Sequence, residues 1–179
     1  MQQLVRFVLQ RRIFNLFAFL ACVGLICAAL VFQAQGEEPC PLCLIQRYCV
    51  VAVGIVYLIA AIAHPKKLWI SRIFAVLLLV TASAGGFSSG RHVWIQSLSE
   101  DEVPACTGSL EYMTESFGWA ETLRVVLLDG SGDCHDSSWK FLYLTMPMWV
   151  LIWFIGLGIF GFLRNWIPDE SSKYQAFNP

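Results

Sequence analysis

The sequence predicts an all-α membrane protein, a four-transmembrane-helix bundle with two extracytoplasmic loops. Of its 179 residues, 57% are hydrophobic and only 14% are charged, whereas charged residues make up roughly 25% of an average soluble domain. Four apolar runs are each long enough to cross about 30 Å of hydrocarbon, which takes roughly 17 to 25 residues. Basic residues are concentrated in short segments beside these runs, as in membrane proteins of defined orientation. No basic patch suggests a nucleic-acid partner.

A single transmembrane domain is expected at 1–163, followed by a cytoplasmic tail at 164–179. Its spans are expected near residues 14–32, 44–63, 68–87 and 142–163. The second span begins with Gln46 and Arg47 in its first turn, so these polar groups should lie at the membrane interface. The third is diluted by small residues at 83–90, which indicate close helix packing rather than a break.

The two loops, at about 33–43 and 88–141, differ in length. The longer loop contains apolar residues at a helical period, namely Phe117, Ala120, Leu123, Val126 and Leu127. We therefore expect a short helix in this loop. It either lies on the membrane surface or packs on the bundle.

The distribution of charge predicts the orientation. Basic residues precede the first span and separate the second from the third: Arg6, Arg11, Arg12, Lys66, Lys67 and Arg72. The loop at 88–141 instead carries nine acidic residues. Both termini should thus be cytoplasmic, and both loops should face outward. The first apolar run exceeds the 7 to 15 residues typical of a cleaved signal core, so we expect it to be retained.

The seven cysteines fall into two groups. Three lie within predicted spans and are expected to be small packing residues: Cys22, Cys27 and Cys49. The other four lie outside the spans on one side of the membrane: Cys40, Cys43, Cys106 and Cys134. Four cysteines can pair in three ways.

Cys40 and Cys43 form a Cys-x-x-Cys pair at the start of the second span. The small ring that this pair can close adds little stability, but the same spacing occurs in dithiol oxidoreductases. The N-terminal dipole of the helix and Arg47 should both favour a thiolate, and most strongly at Cys43. The pair therefore predicts a redox centre.

Two other interpretations remain open for these cysteines. They could form two disulfides that staple the loops of a non-catalytic scaffold in an oxidising compartment. They could also surround zinc together with His135. Because only one Cys-x-x-Cys is present, we expect no metal.

Several further motifs accompany the cysteine pair. They are Pro39-Cys40-Pro41-Leu42-Cys43 with Arg47 four residues later, His92 upstream of Cys106, and Ser131-Gly132-Asp133-Cys134 leading to Trp139, Phe141, Leu142, Met146, Pro147 and Trp149. In this set the chain resembles the DsbB family, the bacterial inner-membrane thiol:quinone oxidoreductases. The resemblance covers most of the chain.

The resemblance implies that all four external cysteines are catalytic. A periplasmic thioredoxin-fold oxidase of the DsbA type would attack Cys106 and free Cys134. Cys134 would then attack Cys40, and Cys43 would pass the electron pair to ubiquinone or menaquinone. One rival is a reductase of the vitamin K epoxide reductase type, which also couples a membrane Cys-x-x-Cys to quinones, but in a different helix order.

The resemblance also implies a quinone site that includes Cys43, Arg47 and His92. The guanidinium of Arg47 stays protonated and would stabilise negative charge on a reduced quinone oxygen. His92 would hydrogen-bond to the quinone or protonate it. Gln46 stands where the best-known members have an acid, so we assign it no proton role.

Overall fold

The computed structural model describes residues 10–36, 39–65, 67–106, 108–135 and 140–168. Within these ranges, four helices are long and apolar enough to cross a membrane: α1 (Arg11–Ala34), α2 (Pro41–Ala63), α3 (Leu68–Ile95) and α5 (Met146–Trp166). The prediction of a four-helix membrane bundle is therefore confirmed. Trp139, Arg6, Lys66 and most of the expected tail, 169–179, lie outside the described residues.

Large apolar side chains cover the outer surface of these helices. Leu20, Ile62, Val80 and Phe160 are between 52% and 70% exposed. A continuous apolar surface of this size is unfavourable in water and favourable in lipid. The bundle therefore buries one face of each helix and presents the other to the bilayer.

The helix boundaries differ from the expected spans at the end of the bundle that carries the Cys-x-x-Cys pair. Helix α2 begins at Pro41 rather than at 44, because Cys40 is its N-cap and a proline is well accommodated in the first turn. Cys43 consequently lies in a helix and not in the loop expected at 33–43. Helix α3 continues to Ile95 rather than ending at 87, so it also carries residues assigned to the loop at 88–141.

The last helix starts at Met146 rather than at 142. The preceding residues form a hairpin of two short strands, β1 (Lys140–Phe141) and β2 (Leu144–Thr145). Its two turn residues, Leu142 and Tyr143, have φ of 52° and 64°, as a two-residue hairpin turn of type I′ requires. This turn delays the start of α5.

Small residues allow α3 and α5 to pack closely. A Cβ atom on Gly85 would collide with the ring of Phe154, and one on Gly158 would lie 3.0 Å from Cβ of Ala82. The small residues near the end of α3 thus accommodate a neighbouring helix, as the sequence indicated, and leave the helix unbroken.

Buried polar side chains join the helices at the end of the bundle opposite the Cys-x-x-Cys pair. The amides of Asn15 and Asn165 exchange two hydrogen bonds of 3.1 and 3.0 Å. Ser71 donates to the backbone carbonyl of Asn165, and Arg11 donates to carbonyls after α2 and α5. These bonds tie α1 and α3 to α5 and satisfy polar groups that lipid cannot solvate.

The long loop contains the expected helix, α4 (Leu110–Arg124), which is broken at Gly118 and followed by a π-helical turn, Val125–Asp129. Leu110, Met113 and Val126 are buried against an apolar cluster at the end of the bundle. Phe117, on the expected apolar stripe, is 63% exposed. Ala120 and Leu123 on the same stripe are also exposed, so only the end of the stripe packs against the bundle.

Replacing Gly85 by alanine is expected to lower the free energy of unfolding by about 1–3 kcal/mol, the usual cost of overpacking a tight core. The added methyl group would displace the ring of Phe154. Thermal unfolding in detergent measures the effect.

Gly90→Ala on the same helix is the matched control, because a Cβ atom there meets nothing within 4 Å. This variant should be neutral or more stable by up to about 1 kcal/mol through helix propensity. Equal stability of the two variants would contradict the packing assigned to Gly85.

Candidate redox site

The Cys-x-x-Cys pair forms the N-terminal turn of α2. Sγ of Cys40, the N-cap residue, accepts the backbone N–H of Cys43 at 3.4 Å. The two sulfurs are 3.2 Å apart, whereas bonded disulfide sulfurs are about 2.05 Å apart. The thiols are unbonded in this structure and close enough to form a disulfide with little movement.

Cys134 reaches this pair from the long loop. It ends a 3₁₀ turn, Gly132–Cys134, and its side chain is fully buried. Its sulfur forms a hydrogen bond with the thiol of Cys40 and accepts the backbone N–H of Leu42. The tertiary fold thus brings together three cysteines that are far apart in the sequence.

Cys106 lies at the surface beside the segment that carries Cys134. It is exposed, whereas Cys134 is buried. A Cβ atom on Gly132 would lie 3.2 Å from Sγ of Cys106, and the N–H of Gly132 donates to the carbonyl of Ala105 at 3.3 Å. An exposed cysteine and a buried one therefore lie on adjacent, hydrogen-bonded segments.

His92 lies against both sulfurs of the Cys-x-x-Cys pair. Its Nε2 is 3.9 Å from Sγ of Cys40, and its Nδ1 is 4.0 Å from Sγ of Cys43. Nε2 is also 3.1 Å from the carbonyl oxygen of Cys134. Because a carbonyl can only accept, Nε2 carries the proton and donates it.

Gln46 completes the surroundings of the imidazole. Its amide Nε2 lies 3.2 Å from Nδ1 of His92. In this orientation the amide nitrogen donates to Nδ1 of a neutral ring, and a rotated amide would accept from Nδ1 once the ring is protonated. The sequence analysis gave Gln46 no role. Its position three residues after Cys43, on the same helical face, was the available signal.

Cys40 and Cys134 are electrostatically unequal. The hydrogen bond that the Cys40 thiol donates to Cys134 raises the pKa of Cys40, and the contact with Cys43 and burial act in the same direction. The same bond lowers the pKa of Cys134, assisted by the N–H of Leu42 against the opposing effect of burial. Of these two, Cys134 is therefore the better thiolate.

Arg47 lies one turn beyond Cys43 on α2 and extends towards α1. Its guanidinium donates to Oε1 of Gln33 and, at 3.1 Å, to the carbonyl of Ala29. These described partners are on α1, whereas His92 supplies the contacts to the thiols. The sequence analysis had expected Arg47 beside Cys43.

Metal ligation would use the same sulfurs. Ligand atoms of Cys40, Cys43 and His92 lie within 4.8 Å of one another. His135, the histidine considered in the sequence analysis, instead contacts the carbonyl of Leu98 at 3.2 Å through Nε2. A disulfide between Cys40 and Cys43 would remove both thiolates that a metal requires.

The lowered pKa of Cys134 predicts a pH dependence for its alkylation in the reduced protein. The rate should be half-maximal below pH 8.5, the approximate pKa of an ordinary cysteine. The alkylation rate should be maximal above the lowered pKa of Cys134 and should decrease as the pH falls through that pKa. Mass spectrometry of the peptide that contains Cys134, after timed iodoacetamide labelling, measures this midpoint.

Cys40→Ala removes the hydrogen-bond donor and should move the midpoint upward. Cys40→Ser is the matched control, because a hydroxyl can still donate. If Cys40→Ala left the midpoint unchanged, the bond from Cys40 would not be the cause of the lowered pKa.

Comparison with known proteins places this geometry in a family. The model of the family described as "Disulfide bond formation protein DsbB" matches residues 11–163. A protein of Methylococcus capsulatus is 49% identical over 156 residues, covering 87% of this chain and 94% of that protein. One of Marinobacter nauticus is 42% identical over 164 residues, covering 89% and 96%. Both are named "Disulfide bond formation protein B".

The matched region contains all four transmembrane helices almost completely and every residue of the candidate site. The names of the relatives imply an oxidoreductase that takes part in disulfide bond formation. The family model and these relatives show that the chain belongs to the DsbB family.

Proposed function

We propose that this protein reoxidises a periplasmic thioredoxin-fold dithiol oxidase of the DsbA type and passes the electrons to ubiquinone or menaquinone. The observation that carries the proposal is the contact of buried Cys134 with Cys40, beside exposed Cys106. An exposed entry sulfur, a buried transfer sulfur and a second cysteine pair suit a relay of disulfide exchanges.

The first exchange occurs at the surface. In the resting state, Cys106 and Cys134 form one disulfide and Cys40 and Cys43 form another. A thiolate of the reduced partner attacks Sγ of Cys106, forms a mixed disulfide and releases the thiolate of Cys134. The exposure of Cys106 supports this direction. The backbone N–H of Leu42 lowers the pKa of Cys134 even while Cys40 is held in its disulfide, and a more acidic thiol leaves faster.

The second exchange transfers the electrons inward. The thiolate of Cys134 attacks Sγ of Cys40 and releases the thiolate of Cys43. The second thiol of the partner then displaces Cys106, and the partner leaves oxidised. Cys106 finally attacks Cys134, which restores their disulfide and releases Cys40. The two electrons lost by the partner now reside in the dithiol of Cys40 and Cys43.

The residues around Cys43 suit a quinone. When bound, the quinone supplies a two-electron, two-proton acceptor that regenerates the disulfide of Cys40 and Cys43. Two of the five N–H groups of Arg47 serve Gln33 and Ala29, and the remainder suit a reduced quinone oxygen. His92 contacts Cys43, where the electrons leave, and it can hold a proton beside that sulfur.

The topology required by this route agrees with the charge distribution. Basic residues adjoin the ends of the helices opposite the candidate site, as at Arg12, Lys67 and Arg164, whereas α4 carries Glu111, Glu115 and Glu121. The proposal places the protein in the bacterial inner membrane, with both termini cytoplasmic and the redox loops periplasmic.

Anaerobic turnover with a reduced thioredoxin-fold oxidase and quinone tests the relay. Quinone reduction is followed by its ultraviolet absorbance. Loss of the entry or the exit sulfur, in Cys106→Ala or Cys43→Ala, should lower turnover by about a thousandfold or more, because relay groups act as a unit.

Cys27→Ala is the control, since Cys27 is an exposed thiol on α1 and is not one of the four cysteines of the relay. Normal turnover by Cys43→Ala would refute the relay. If the unsubstituted protein consumed no quinone and its external cysteines were inert to the partner, a disulfide-stapled scaffold would be the better account. Quinone reduction that did not require Cys106 would favour a reductase of the vitamin K epoxide reductase type.

Arg47→Ala should raise the KM for quinone by roughly ten- to a hundredfold through loss of a charged donor. Arg47→Lys should have an intermediate effect, because lysine keeps the charge and loses the planar fork. The rate of mixed-disulfide formation at Cys106 should not change. Arg72→Ala is the control, since Arg72 lies over Trp166 near the opposite ends of the helices. An unchanged KM in Arg47→Ala would exclude Arg47 from the quinone site.

A further inference from the structure

Arg91 joins the outer end of α3 to the long loop. Its Nε donates to the carbonyl of Leu127 at 3.3 Å, and its Nη2 donates to those of Leu128 and Asp129 at 2.7 and 3.2 Å. These carbonyls end the π-helical turn that follows α4. The last carbonyls of a helix lack intrahelical donors, and a cation is favoured there.

The guanidinium is itself held in place by its own helix. It lies over the ring of Trp94, 4.1 Å from the ring centroid, where a cation is attracted to the aromatic face. One side chain therefore connects a rigid transmembrane helix to three successive carbonyls of the loop. Three donors from a planar fork define both the position and the direction of that segment.

His92 holds the other end of the same segment. Its Nε2–H donates to the carbonyl of Cys134, which follows Asp129 by five positions. Two adjacent residues of α3 thus hold this segment, Arg91 before the turn that carries Cys134 and His92 at its last residue. Between them, Gly130 (φ +85°) passes close to Ile95, where a Cβ atom would lie 2.7 Å from Cδ1.

We propose that Arg91 is a positioning residue for disulfide exchange, which holds the loop so that Cys134 meets Cys40. In the part of the chain that the structure describes, the hydrogen bonds of Arg91 go to loop carbonyls and not to the sulfurs. Arg91 therefore acts through the backbone of the loop. Without it, the segment before Cys134 would lose its side-chain anchor to α3, and Cys134 would be held only by its contacts with His92 and Leu42 and by the bonds of the neighbouring loop residues. Exchange is sensitive to such loosening, because a displacement of about 1 Å in a reacting group can cost on the order of a hundredfold in rate.

The role of the contact between Cys134 and Cys40 in a relay rests on the proposed function. The contact itself can be tested without quinone or a partner protein. In full-length Cys43→Ala/Cys106→Ala protein, Cys40 and Cys134 remain as the cysteines of the site. Oxidised glutathione converts their two thiols to one disulfide and is reduced to two glutathione thiols. The equilibrium yield in a glutathione buffer gives the effective concentration of one thiol at the other.

Arg91→Gln should lower this effective concentration by roughly ten- to a hundredfold. The effective concentration in Arg91→Lys should lie between the values with Arg91 and with Arg91→Gln, because an ammonium group keeps the charge but cannot reproduce the planar fork. Arg124→Gln in the same loop is the matched control. The contact of Arg124 with Glu121 is 3.6 Å long, between side chains that are 69% and 52% exposed, so its loss should have no effect.

An effective concentration that is unchanged in Arg91→Gln would overturn the proposal, and so would an equal fall in Arg124→Gln. If Arg91→Gln did not fold, Arg91→Lys would be measured instead. An effective concentration equal to that of the Cys43→Ala/Cys106→Ala protein with Arg91 intact would overturn the proposal. The expected fall in the double variant, together with no quinone reduction by the unsubstituted protein, would contradict the proposed function alone.

Discussion

The contact between Cys134 and the first turn of α2 is the constraint on which the candidate site depends. Around one buried residue, the sulfur meets the thiol of Cys40 and the N–H of Leu42, and the carbonyl accepts from His92. The loop, α2 and α3 each contribute one part. The N-terminus of α2 was expected to favour a thiolate within the Cys-x-x-Cys pair. Through the N–H of Leu42, it also favours the thiolate of Cys134 in the loop.

The bundle provides the rigidity that this contact needs. Helix α3 packs against α5 through small residues such as Gly85 and Gly158, and it remains helical to Ile95. Arg91 and His92 therefore project from a supported helix and hold the loop. Cys106 lies exposed on the loop surface, where Gly132 passes close to its sulfur.

Much of the fold followed from apolar length, but the ends of the helices did not. A hydropathy pattern weakens wherever polar or small residues enter a helix. The sequence therefore placed the end of α3 at 87 and the start of α5 at 142, whereas packing and a hairpin turn put them at Ile95 and Met146. Gln46 escaped notice as a partner of His92 for a similar reason, since the two residues meet only when α2 and α3 pack together.

By itself, the sequence determined the membrane class, the number of spans and the Cys-x-x-Cys pair at a helix start. These features depend on local spacing and on apolar length, which the chain carries whatever its tertiary contacts. Only the tertiary structure decided that Cys134 rather than Cys106 lies at Cys40, that His92 bridges the sulfurs and that Arg47 extends to α1. Those contacts join segments distant in the chain, and their geometry comes from helix packing and from the anchoring of one loop.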